Sequence, residues 1–214
     1  MVQPKCRIQV WVTAFLLATT LIAQAQIHAI TTAQSQSDRF SSPAVDAGDY
    51  VYISGQGPQD PDGKMPATFD AQVRQTLDKV KTIVEAAGLT MNNVVYTQVY
   101  LTDISKYEEM NRVFGEYFPK TPPARAVLGV AAVLQSPIEI NAVAVRDLTG
   151  RRAISPPNTK SSDSASLAIL THDRLFLSGM IGADPATGKV PDDPAAQVDL
   201  ALDQFVQAGR VQHP

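Results

Sequence analysis

One pattern of residues occurs twice in this chain, and its period limits the folds open to it. Residues 51–78 run through Ser54-Gly55, Asp60-Pro61, Gly63-Lys64, Pro66, Ala71-Gln72-Val73 and Leu77-Asp78. Residues 175–203 run through Ser178-Gly179, Asp184-Pro185, Gly188-Lys189, Pro191, Ala196-Gln197-Val198 and Leu202-Asp203. Order and spacing agree apart from one extra residue, Ala186. An offset of about 125 residues is the size of a small domain and far exceeds solenoid periods. Eleven residues follow Asp203. The chain is therefore expected to hold one complete domain (38–147), a linker (148–163) and a truncated second copy (164–214). Such a half-copy should leave sheet edges unpaired and a helix stripe unburied.

The first residues belong to neither copy. Lys5 and Arg7 precede an apolar run over residues 8–23, and Ala23-Gln24-Ala25 offers small residues for cleavage. That order reads as a secretory signal peptide over 1–25, too short in its apolar part for a spanning helix. Cleavage would leave no membrane anchor and an exported, periplasmic or secreted product. It would also remove the only cysteine, Cys6, and shift the formal charge from −3 to −5. A hydrophobic content of 44% with 18% charged residues describes a globular chain. An acidic chain with no basic cluster beyond Arg151-Arg152 argues against nucleic-acid partners.

Periodicity supplies the elements. Residues 26–37 are polar and read as a flexible lead. Gly48 suits a tight turn between two strands, the second over residues 50–53. Val73, Leu77, Val80, Val84 and Ala87 form one apolar helical stripe that Gly88 ends. Residues 93–101 read as a strand. A second helix opens on the capping box Ser105…Glu108, shows Tyr107, Met110, Phe114 and Tyr117 on one face, and stops at Pro119. Strands over 125–133 and 138–146 follow. The order ββαβαββ predicts an α+β fold, a sheet with two helices on one face. Ala124, Ala126, Leu128, Val130, Ala142 and Ala144 alternate with further apolar residues, so both sheet faces are expected to be buried, most simply in a homo-oligomer.

Ile53-Ser54-Gly55-Gln56, Ala71-Gln72-Val73-Arg74, Glu85-Ala86-Ala87-Gly88, Asn111, Pro123-Ala124-Arg125 and Ile138-Glu139-Ile140-Asn141-Ala142 resemble the RidA (reactive intermediate deaminase) family. The likeness spans residues 38–147, and the second copy is similar only to the family's N-terminal half. It implies a chorismate-mutase-like fold, a homotrimer with clefts between subunits, and hydrolysis of reactive enamines and imines to keto acids and ammonia, without metal or cofactor.

Arg125 is the leading site candidate, because a planar guanidinium holds a carboxylate through two parallel hydrogen bonds. The resemblance implies that role. It also implies Ser54 and Gly55 as the cleft floor and Asn111 beside it. Val127 stands where the family often has cysteine, with its backbone N–H still available. Asn141 stands where many members carry glutamate. Asparagine can hydrogen-bond a water but cannot trade protons at neutral pH. Glu139 does not replace it, since two residues along a strand is a shift of roughly 6–7 Å. The second copy repeats Ser178-Gly179 but has no counterpart of Asn111, Arg125 or Asn141, so it is expected to carry no site. Residues 57–65 fail as a phosphate loop, 60–63 fail as a calcium loop, and three scattered histidines make no metal set. Two readings stand: an imine deaminase with catalytic Arg125 and Asn141, or a carboxylate-binding, chaperone-like scaffold of the same fold with little chemistry. RNA cleavage fits an acidic chain poorly.

Overall fold

A computed structural model describes residues 27–33, 40–134, 136–155 and 163–210. The expected signal peptide lies outside these residues, as do parts of the expected lead and linker and the last four positions. No helix among the described residues is long and apolar enough to cross a membrane.

Strands β1 (His28–Ile30), β2 (Ala44–Asp46), β3 (Tyr50–Gln56), β4 (Val94–Leu101), β5 (Ala124–Gly129) and β6 (Ile138–Val145) form one sheet in the order β1-β2-β3-β6-β4-β5. Only β4 and β5 run parallel. Helices α1 (Phe69–Ala86) and α2 (Tyr107–Tyr117) cover one face.

The first helix follows its sequence closely. Thr68 caps it by accepting the Ala71 N–H, and Val73, Leu77, Val80, Ile83 and Val84 turn inward. At its end Gly88 takes φ +74°, donating to Glu85 O at 2.9 Å, while Leu89 N–H reaches Val84 O at 3.1 Å. Those two bonds make a Schellman stop, open to glycine because it has no Cβ to clash at positive φ.

Several expectations need correction. The Ser105…Glu108 box does not form. Asp103 accepts from the Ser105 backbone and hydroxyl instead, and caps a short 3-10 turn over Ile104–Lys106. The next helix then starts at Tyr107 with no side-chain cap. An acid two residues upstream competes successfully because it reaches the same N–H from a tighter turn. The lead is not wholly loose, since His28–Ile30 pairs with β2 and sinks Ile30 into the core. Strand β5 stops at Gly129 rather than 133, because its partner β4 ends at Leu101.

Within the expected linker, β7 (Arg152–Ile154) pairs with β8 (Ala168–Leu170), which pairs with β9 (Leu175–Leu177). Helix α3 (Pro194–Arg210) follows. This small sheet covers the other face of the large one. Ile169 and Phe176 pack onto Tyr50, Val95, Tyr96, Ala124, Val143 and Val145. Part of the face expected to be buried by another chain is therefore buried here by the chain's own residues. Leu128 and Tyr52 on the same face stay about two-fifths exposed, at 41% and 40%. A polar rim surrounds the contact. Tyr50 hydroxyl meets Thr171 Oγ1 at 2.6 Å and donates to Asp173, while Arg174 lies 4.0 Å above the Tyr50 ring and donates to Tyr52 hydroxyl at 2.6 Å.

Candidate active site

Arg125 is the second residue of β5, the edge strand, and is only 4% exposed. Strand alternation directs its side chain to the helix-covered face, where its guanidinium lies 4.4 Å from the Phe114 ring centre. It donates to Asn111 Oδ1 at 2.6 Å, Ser164 Oγ at 3.1 Å and Met110 Sδ at 3.6 Å. Asn111 and Met110 project from adjacent positions of α2, so one helix turn fixes two of these contacts. Burial pulls the arginine pKa below its ordinary value, opposed by Tyr107 and Glu108 beside it. A buried cation held by neutral dipoles and a ring, with no carboxylate bonded to it among the described residues, is ready to receive an external anion.

The free edge of β5 is closed by Ser166, Ser178 and Gly179. Ser178 Oγ accepts the Arg125 backbone N–H at 2.8 Å, and Gly179 N–H donates to Arg125 O at 3.1 Å. Ser166 bridges Ala124, and its N–H donates to Pro123 O at 3.1 Å. Beside this seam opens a cleft of about 970 Å³ whose lining includes Tyr107, Lys120, Arg125, Val127, Ser178 and Gly179. Among the described residues, no Asp or Glu belongs to that lining.

The sequence candidates therefore divide into two groups. Arg125, Asn111 and Val127 come together. Ser54, Gly55 and Asn141 meet elsewhere, where the β3–β6 register slips between Ile53 and Gln56 and the Ser54–Gly55 bulge lies opposite Asn141. Gln98 of β4 pairs with both Asn141 and Ala126. Asn141 thus shares the Ala126 face of the sheet, while Arg125 points to the opposite face from two strands away, roughly 10 Å laterally. The two proposed catalytic residues are not adjacent in this chain. Glu139 lies over Gly55, so closely that a Cβ there would collide with its carboxylate, and both line a second cavity of about 390 Å³.

Sequence reasoning missed Ser164, Ser166, Ser178 and Gly179 as site residues. Their signal was present: Ser178-Gly179 repeats the Ser54-Gly55 pair already read as a cleft floor. The expectation that the second copy carries no site is corrected in part. Residues 164–214 hold no counterpart of Arg125, yet Ser166, Ser178 and Gly179 line the Arg125 cleft.

Residues 30–146 match the family model described as Endoribonuclease L-PSP. The chain belongs to this family. It is 42% identical over 107 residues to the 2-iminobutanoate/2-iminopropanoate deaminase of Escherichia coli, a match covering 48% of this chain and 84% of that protein. It is 38% identical over 109 residues to a RutC family protein of Pyrococcus horikoshii, covering 50% and 86% respectively. Among solved structures, the YjgF gene product of E. coli superposes with a TM-score of 0.53 at 37% identity, over 56% of this chain and all but 1% of that one, its coverage being 99%. RidA from an Antarctic Psychrobacter gives 0.52 at 36% identity, over 55% and 98%. The α+β sheet with two helices is thus that of the RidA structures.

Proposed function

We propose that the chain hydrolyses small reactive enamines and imines bearing a carboxylate, of the 2-aminoacrylate type, to keto acids and ammonia, the enamine reacting as its imine tautomer. The observation that carries this reading is Arg125, almost wholly buried at the edge of an open cleft and, among the described residues, bonded only to uncharged groups. An entering carboxylate would take over the weak thioether contact and gain a charge-assisted pair, replacing a neutral dipole with the stronger partner. With the carboxylate fixed, the imine carbon sits a bond away, within the cleft. Water adds to that carbon, the nitrogen takes a proton, and the C–N bond breaks to leave a carbonyl and ammonia. Tyr107 and Lys120 line the cleft with Arg125 and bring a phenol and an amine within it as candidate proton donors. The deaminase named among the relatives supports the same chemistry.

A second reading has its own support. Among the described residues no carboxyl group lines the Arg125 cleft, and Asn141 lies on the other face of the sheet. A site that binds keto acids without turning imines over would look the same. Full-length protein separates the two when an amino-acid oxidase generates imines in the presence of semicarbazide. Faster loss of the semicarbazone signal, abolished by Arg125→Ala, is the expected result. No acceleration from folded protein that still binds 2-oxobutanoate would leave the binding scaffold standing.

A further inference from the structure

Residues 42–66 and 166–191 share more than sequence. Ser54 N–H donates to Pro43 O at 2.9 Å, and Ser178 N–H donates to Leu167 O at 2.9 Å. Ser54 hydroxyl donates to Ser42 O at 2.7 Å, and Ser178 hydroxyl to Ser166 O at 2.6 Å. Ala47 N–H to Tyr50 O recurs as Thr171 N–H to Arg174 O. Gln72 Nε2 to Pro66 O recurs as Gln197 Nε2 to Pro191 O. Strand pairing repeats as well, with Ala44 opposite Ile53 and Ala168 opposite Leu177. The chain thus presents two Ser-Gly turns of one shape. One is docked on the β5 edge beside Arg125. The other, Ser54-Gly55, is solvent-exposed.

We propose that residues 163–181 are a built-in occupant of a docking surface that Ser54-Gly55 of a second copy of this chain would otherwise fill. The surface consists of the β5 edge and the apolar face around Tyr50, Val95 and Val145. Its shape complementarity to a Ser-Gly turn is visible in the docked example: two backbone groups of Arg125 and the carbonyls of Pro122 and Pro123 are all satisfied by the segment. The segment has two consequences. It supplies the second wall of the Arg125 cleft within one chain, with Ser178 and Ser164 as positioning residues for the arginine. It also excludes a second chain from that edge, so self-association through β5 requires the segment to leave. Linkage to its own sheet favours the internal occupant, because its effective concentration is far above that of a free partner. A homotrimer built on this face would have to displace it.

The proposal rests on the carboxylate reading of Arg125 only for one of its readouts, and chain mass in solution is independent of any ligand. Three full-length variants test it. Gly179→Val needs no unusual backbone, since Gly179 is not among the positive-φ glycines, but its Cβ would already sit 3.4 Å from Ala126 Cα and Cβ. Branches beyond that Cβ push the segment off β5. Phe176→Glu buries a charge against Tyr50 and Tyr96 and does the same from the face. Ser178→Ala keeps the packing and removes two hydrogen bonds, those to the Arg125 N–H and to Ser166 O.

Light scattering and 2-oxobutanoate titration are run on each, with circular dichroism confirming folding. The expected result is a single-chain mass for the wild type. The first two variants move to a larger mass, and Ser178→Ala keeps the single-chain mass with several-fold weaker binding. A wild type that is already an assembly, or a folded Gly179→Val that stays single-chain with unaltered affinity, overturns the proposal. If the masses shift as expected but wild type and Arg125→Ala both ignore 2-oxobutanoate, the docking holds and the carboxylate reading fails alone.

Discussion

Val73, Leu77 and Val80 of α1 correspond in sequence to Val198, Leu202 and Phe205 of α3. The first three are fully buried, whereas the second three are 57%, 55% and 36% exposed. Both helices follow a β-hairpin and a Gly-Lys loop, and both carry the stripe on one face. What differs is the surface each meets. The first packs on β3, β6 and α2, whereas α3 touches the short strand β9 and little else. A hydrophobic stripe specifies which face of a helix will be buried, and the neighbouring strands decide whether it is.

The largest expected effect exploits this contrast. Leu77→Ala removes a fully buried side chain and should cost about 2–5 kcal/mol in urea unfolding. Leu202→Ala, at the matching position, should stay within about 0.5 kcal/mol. Equal costs would mean that α3 packs against something in solution and that the contrast is false.

A mid-sized effect compares the two serines. Ser178→Ala leaves the buried Arg125 N–H without its acceptor, a loss of about 1–3 kcal/mol to the docked segment. Ser54→Ala removes an exposed bond to Ser42 O and should change stability by less than about 0.5 kcal/mol. Amide exchange of the peptides over 164–180 and 42–56 reads the two segments separately. Similar loss of protection in both would show that the turns are equivalent after all.

How much of this was legible beforehand depends on the range of the interaction. The stripe of α1 and its glycine stop depend on residues within a turn or two, and the sequence displays them. The α2 face was legible at Met110 and Phe114, whereas Tyr107 is exposed and the buried Val113 was not on the expected stripe. Arg125 was legible through its Pro-Ala-Arg context. The separation of Arg125 from Asn141 was not, because it depends on which residues of β4 pair with β5 and β6. A strand's side chains alternate by residue, and the register that assigns each to a face is set by partners far along the chain. The bulge at Ser54-Gly55 shifts that register once more. The capping box failed for a local reason, since Asp103 offered a shorter route to the same N–H. The role of Ser178-Gly179 was written in the repeat itself but needed the free edge of β5, which no linear pattern reveals.

The smallest expected effect concerns the carboxylates that pin the two segments. In the docked segment, the Tyr50 hydrogen bond, with His172 and Arg174 nearby, holds the Asp173 pKa below its ordinary value, against a small opposing effect of burial. In the six-stranded sheet, burial pushes Asp46 upward but is outweighed by Arg146, the Gly48 N–H and His28, so its net shift is also downward. A carboxyl with a lowered folded pKa contributes stability that is present above its unfolded value of 3.8 and lost as pH falls through the folded value. Both segments should therefore lose protection only on acidification below about pH 4. Asp173→Asn should reduce protection of residues 168–177 at about pH 6 and flatten its further fall toward about pH 3, while residues 44–56 keep the wild-type profile. Amide exchange corrected for intrinsic rates measures this. If Asp173→Asn flattened both regions together, the segment and the sheet beneath it would open as one unit, and the internal occupant could not leave by itself.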